Sequence, residues 1–204
     1  MADGQPRVRT RIQARNRAVI LAAALKVFAD HGRRGATLDM IGEEAGLSKP
    51  NILYYFAGKE AIYEDLLTGL LDTWLDPLRA LDPGGDPMTE ILGYVRAKLD
   101  LSRRLPLESR LFATEIVQGA PLIGTNLRGE LRELVADRAK VIEGWAEAGR
   151  IAPVDGRHLI MSIWALTQHY ADFGVQVAAV LDDADPWDAA AMHLDTLFTR
   201  MLQV

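Results

Sequence analysis

Apolar positions in this chain recur at three- and four-residue spacing, and no stretch alternates with period two for long enough to predict a sheet. The first stripe, Ile12, Val19, Ile20, Ala23, Ala24, Val27 and Phe28, predicts a helix over residues 10–31 that Gly32 stops. Leu38, Ile41 and Ala45 predict a short second helix, with Thr37 as its N-cap and Gly46 at its end. Ser48 caps a third helix, and Pro50 falls in the first turn, where a missing N–H costs nothing. Ile62, Leu66, Leu70 and Trp74 then mark a long helix from Lys59 to about Asp76 that Pro77 is expected to kink or end.

Beyond the loop Asp82-Pro83-Gly84-Gly85, the pairs Asp86-Pro87 and Asp185-Pro186 and the stops at Pro106 and Gly149 divide the rest into further helices. These cover residues 86–104, 106–119, 126–148, 156–181 and 185–202, making about nine helices in all. The fold class is therefore all-α. A three-helix head over residues 1–58 is expected to join a helical body over residues 59–204. The last two long helices are too apolar for a monomer surface, and pairing through them with a second copy would cover them. Between residues 159 and 181, Gln168, His169, Asp172 and Gln176 interrupt the most apolar run, so it predicts a buried interface helix and no membrane span.

Charge changes this picture in one respect. The net charge of −5 divides into +4 over residues 1–60 and −9 over the remainder, so the basic end is the end with the two short hinged helices. A helix-turn-helix puts the front of its second helix on base edges in the major groove while neighbouring groups hold phosphates. Double-stranded operator DNA is thus the expected partner. Arg7, Arg9, Arg11, Arg15 and Arg17 precede the motif, where they suit phosphate or minor-groove contact, although such a charge run also suits a solvated helix start. The chain has no cysteine, which excludes disulfides, zinc-thiolate sites and cysteine nucleophiles. It also fits a reducing cytoplasm, the expected location, since no signal or transit pattern is read at the N-terminus.

Catalytic chemistry finds little support. Four scattered histidines, no Gly-rich phosphate loop and no clustered carboxylates leave an all-helical enzyme as the remote alternative, and no cofactor is expected. His169 and Asp172 have the i, i+3 spacing of metal ligands, but two candidates do not close a site, and an interface pair is the simpler reading.

The phrase TLDMIGEEAGLSKPNILYYFAGKEAIY, behind an Arg-bearing helix and before a divergent helical body, resembles the TetR family of bacterial repressors. Gly46, Leu47, Ser48, Tyr54, Tyr55, Phe56, Lys59 and Glu60 stand at that family's spacing. The resemblance implies that Lys49, Pro50, Asn51 and Leu53 face bases, while Thr37, Ser48, Tyr54, Tyr55 and Lys59 anchor the DNA backbone, with Arg9 and Arg11 in support. The body phrases LDTWLDPL, KLDLSR, SRLF, GAPLI and IAPVDGRHLIMSIWALTQHYADFGVQVAAV resemble the pyrimidine-utilisation members of the family, which implies a small-molecule effector such as uracil or thymine. Trp74, Trp164 and Gln168 are the ligand candidates that the resemblance carries over. Gln168 can donate and accept along one lactam edge, and Trp164, four residues earlier on the same face, offers a ring and an N–H. Two readings stay open: an unrelated planar or lipophilic effector, and a purely structural role for the tryptophans.

Overall fold

The structure, a computed structural model, describes residues 5–183 and 185–204, with side chains from Arg11 onward. Among the described residues it is all-helical, with eleven α segments and one π-helical turn. The contacts divide the chain into two compact units, Met1–Gly69 and Leu70–Val204.

The head is built from α1 (Gln5–Gly35), α2 (Leu38–Ala45), α3 (Lys49–Tyr55) and the first half of α4 (Lys59–Arg79). Ile20, Ala23, Ala24, Val27 and Phe28 of α1 are buried against Ile41, Ile52, Ile62 and Leu67. The stripe is narrower than expected. Ile12 and Val19 are exposed, because the face that packs is the set 20, 23, 24, 27 and 28, and both lie off it. Gly32, with φ +66°, breaks α1 where a stop was expected. Thr37 caps α2 by accepting the Met40 N–H, whereas the Ser48 side chain makes no capping bond to α3.

Two glycines set the α2–α3 turn. Gly46 has φ +64°, a left-handed conformation that costs a residue with a Cβ. Gly42 is constrained by crowding instead: a Cβ there would lie 2.6 Å from the Leu47 carbonyl oxygen. Its own carbonyl accepts the Leu47 N–H at 2.9 Å, so the chain folds back directly over it.

The body comprises the rest of α4 with α5 (Pro87–Arg104), α6 (Pro106–Val117), α7 (Gly124–Asn126), a π turn over Leu127–Leu131, α8 (Arg132–Glu147), α9 (Gly156–Asp172), α10 (Gly174–Leu181) and α11 (Trp187–Leu202). Its main core joins Ile91, Val95 and Leu99 of α5 with Ile142 and Trp145 of α8, Ile160 and Ile163 of α9, and Leu194 and Phe198 of α11. Asp86 and Asp155 cap α5 and α9 through the Thr89 and His158 N–H groups.

Three expectations about elements change. Helix α4 runs through Pro77 to Arg79, held beyond the proline by buried Leu78 and by Arg79, whose guanidinium binds the Asp72 carbonyl and the Asp72 and Asp76 carboxylates. The helix expected over residues 156–181 is two helices: the Phe173 N–H closes α9 on the His169 carbonyl and Gly174 starts α10. The helix expected from residue 126 begins instead with α7 and the π turn, in which Gly129 is non-helical (φ −93°, ψ −105°). No helix among the described residues is long and apolar enough to cross a membrane.

Candidate DNA-reading face and effector cavity

The α3 helix is only seven residues long, and it divides cleanly. Ile52 points into the head core and is fully buried, while Lys49, Pro50, Asn51, Leu53 and Tyr54 are exposed with Ser48 beside them. Every side chain expected to face bases is therefore presented to solvent from one short segment anchored by a single residue.

The two tyrosines are held from α1. Asn16 Nδ2 donates to the Tyr55 hydroxyl oxygen at 2.9 Å, and Gln13 Nε2 donates to the Tyr54 hydroxyl oxygen at 3.3 Å. The rings meet edge to face, with centroids 5.1 Å apart. Each phenolic oxygen thus accepts from an amide, and each O–H proton is left to donate outward, the polarity that a phosphate oxygen needs. Gln13 and Asn16 carried no signal in the sequence, since a polar residue near the start of a basic helix looks like any solvated one. Thr37 is similar: its oxygen accepts the Met40 N–H, and its own O–H remains a donor.

Two lysines, Lys59 expected on the DNA backbone and Lys49 expected on bases, are engaged within the head. Lys59 turns inward, and its ammonium donates to the carbonyls of Arg33 at 3.0 Å, Arg34 at 3.3 Å and Ala36 at 2.8 Å. With three donors on three carbonyls, this side chain ties α4 to the turn after α1 and has no N–H left for a phosphate. Lys49 is exposed but pairs with Asp39 at 3.0 Å. Arg17 lies over the Phe56 ring, 4.4 Å from its centroid, and binds Asp65. Arg11 is exposed, and the side chain of Arg9 lies outside the described residues.

The three ligand candidates converge in the body. Trp74, Trp164 and Gln168 line one cavity with Leu71, Leu75, Lys98, Phe112 and Leu131. Its volume is about 50 Å³, room for a few water-sized spheres. Trp74 is 4% exposed and stands edge-on to Phe112, with centroids 5.1 Å apart, and its buried indole N–H has no partner. Gln168 is half-buried, and its amide makes no hydrogen bond among the described residues. Trp164 supplies a wall and no donor: its Nε1 donates to the Tyr94 hydroxyl at 2.6 Å, which corrects the expectation that this N–H faces the ligand.

Sequence reasoning missed Lys98. It is 2% exposed, and its ammonium lies over the Trp74 ring, 4.7 Å from the centroid. Burial pulls its pKa down to about 8, against an opposing pull from Asp172, whose own carboxyl is pushed up by burial despite accepting the Ser109 hydroxyl. A signal was present, because Ile91, Tyr94, Val95, Lys98, Leu101 and Ser102 form one stripe at helical spacing, and a lysine there must be buried. His169, four residues before Phe173, stacks on that ring and holds no metal partner among the described residues.

Comparison with known proteins agrees with both halves. Residues 20–66 match the family model described as bacterial regulatory proteins, tetR family, and residues 67–204 match the YcdC-like protein C-terminal region. The chain belongs to the TetR family. This TetR-family chain is 46% identical over 172 residues to the HTH-type transcriptional regulator RutR of Escherichia coli K12, covering 84% of this chain and 81% of that protein. A TetR-family regulatory protein from Rhodococcus RHA1 superposes with a TM-score of 0.72 at 22% identity, over 92% of this chain and 97% of the other. AibR, solved with isovaleryl coenzyme A and operator DNA, superposes with a TM-score of 0.65 at 13% identity, over 89% and 97%. These two show a shared fold. The family and the relative at 46% identity make this chain a DNA-binding transcriptional regulator of TetR type.

Proposed function

We propose that this regulator binds a palindromic operator as a homodimer and responds to a pyrimidine, uracil or thymine, held in the cavity around Trp74 and Gln168. The observation that carries the effector is an unpartnered buried indole N–H beside a carboxamide with no hydrogen bond among the described residues, both lining one small cavity. Uracil is a flat ring whose edge alternates C=O and N–H. Gln168 can donate to one carbonyl and accept from the adjacent N–H, while Trp74 donates to a second carbonyl and Trp164 and Phe112 flank the ring. The 46% identity to RutR agrees with the resemblance of the body phrases to the pyrimidine-utilisation members of the family. Fold alone does not choose it, since AibR binds isovaleryl coenzyme A within the same architecture.

The homodimer rests on the exposed apolar side chains of the last helices. Met161 and Leu166 on α9, Val175 and Val180 on α10, and Met192 and Leu197 on α11 are all exposed, which sets large apolar side chains on each of the last three helices. A second copy would bury them through an isologous contact and bring two reading heads to two half-sites. Light scattering at micromolar concentration should give twice the chain mass, and a monomer would remove the palindrome from the reading.

For the response, the ligand must bind the DNA-incompetent arrangement more tightly than the competent one. Helix α4 begins in the head and carries Trp74 at the cavity, so it is the element through which occupancy would be felt. A mobility shift on DNA upstream of the protein's own gene, with and without uracil and across a salt series, tests this. Steep weakening with salt is expected from phosphate contacts, and uracil should change the midpoint. Gln168→Ala should lose the uracil effect and keep operator binding. A retained uracil effect would refute the assignment of the cavity.

A further inference from the structure

The cavity is not electrically neutral. The polar groups that line it are the Lys98 ammonium and the unpartnered Trp74 N–H, both donors only, with the Gln168 amide supplying the single acceptor. Lys98 is as buried as the aliphatic core, yet no carboxylate among the described residues forms an ion pair with it. The nearest candidate, Asp172, accepts the Ser109 hydroxyl and feels His169 and Arg110 as well. Besides the pull of that carboxylate, Lys98 has the face of Trp74, an aromatic quadrupole that is a weak substitute for a paired counter-ion. A buried cation left in that state is costly, and a ligand anion beside it would remove the cost.

We infer that the cavity selects its effector for negative charge: the preferred class is the acidic cyclic imide, a ring N–H between two carbonyls, bound as its monoanion with an oxygen on Lys98. This deepens, and rests on, the pyrimidine reading above. Uracil and thymine belong to the class as weak acids, whereas 6-azauracil and 5-fluorouracil lose the imide proton more readily in a ring of nearly unchanged size. Barbituric acid is already ionised at neutral pH, through its C5–H, so its anion keeps both imide N–H groups and carries a third oxygen. The imide anion has one donor fewer and one stronger acceptor than the neutral ring, matching a site with two donor-only groups and one acceptor. At neutral pH Lys98, with a pKa of about 8, is mostly charged and so available to such an anion.

The test is calorimetry on the full-length protein at a single neutral pH with uracil, thymine, 5-fluorouracil, 6-azauracil and barbituric acid, repeated on Lys98→Met. Affinity should follow imide acidity, with 6-azauracil about tenfold or more tighter than uracil, about 1.4 kcal/mol. Lys98→Met should compress the series to within about twofold while still binding uracil, and tryptophan fluorescence checks that this variant is folded. Uracil binding without an acidity trend, or a trend that survives in Lys98→Met, overturns the inference and leaves the pyrimidine reading standing. Binding of none of the five overturns the pyrimidine reading, and this inference with it.

Discussion

The reading head and the effector cavity handle polar groups in opposite ways. In the head, the functional side chains are exposed and already tethered: Tyr54 and Tyr55 accept from Gln13 and Asn16, and Thr37 accepts from Met40. Only their outward-facing protons are uncommitted. In the body, the buried Trp74 N–H has no hydrogen-bond partner, Lys98 is buried over an aromatic face with no ion pair among the described residues, and Gln168 is half-buried beside them. Water satisfies an exposed group at no cost, so a surface that must meet DNA needs only orientation. A buried group without a partner costs free energy until a ligand supplies one, and that unspent cost becomes affinity.

The contrast is open to direct attack, because all four tryptophans, at 74, 145, 164 and 187, lie in the body, so that intrinsic fluorescence reports on that unit alone. The largest effect is expected from Gly42→Val. Its side chain meets a backbone oxygen, which cannot give way as a side chain can, and the cost should be about 3 kcal/mol or more. Operator binding should vanish while uracil still changes tryptophan emission; loss of both would show that the units do not fold separately.

Lys98→Met comes next and should stabilise. The folded pKa lies below that of the free side chain, so the unfolded chain holds its proton more tightly. The penalty is complete below about pH 8 and disappears as pH rises toward the ordinary lysine value, so wild-type stability should climb across that window. Removing the charge should raise stability at neutral pH by a few kcal/mol, on the order expected for a largely buried ion, and abolish the climb. Urea titrations of both proteins at several pH values would detect this, and parallel curves would refute it.

Lys59→Met separates a structural lysine from a phosphate contact. Loss of three charge-assisted bonds should destabilise the head by about 1–3 kcal/mol. The slope of operator affinity against salt should be unchanged, whereas a slope reduced by about one would restore Lys59 to the DNA interface. The smallest effect is expected from Asn16→Ala, which frees the Tyr55 hydroxyl to rotate. Operator affinity should fall by about fivefold, about 1 kcal/mol, with no change in tryptophan emission. Equal affinity would mean that Tyr55 does not bind phosphate through an oriented proton.

The head was largely legible in the sequence because its information is local. Thr37, Gly46 and Pro50 act within a turn of where they stand, and one buried residue, Ile52, decides which side of α3 is outside. Local hydrogen bonding and backbone sterics suffice for that. The inward turn of Lys59 was not legible, since it depends on carbonyls left at the end of α1, more than twenty residues away. Among the body positions, Trp74, Trp164 and Gln168 were reached through resemblance, and the spacing of Trp164 and Gln168 agreed. The sequence by itself determined the all-helical class, most of the helices and the placement of basic charge beside the reading motif. Only the tertiary structure decided that Trp164 gives its N–H to Tyr94 and that Lys98 is buried over Trp74. The physical reason is that a buried group's chemistry is set by whichever partners packing brings within about 3 Å, and those come from α4, α5, α6 and α9 together.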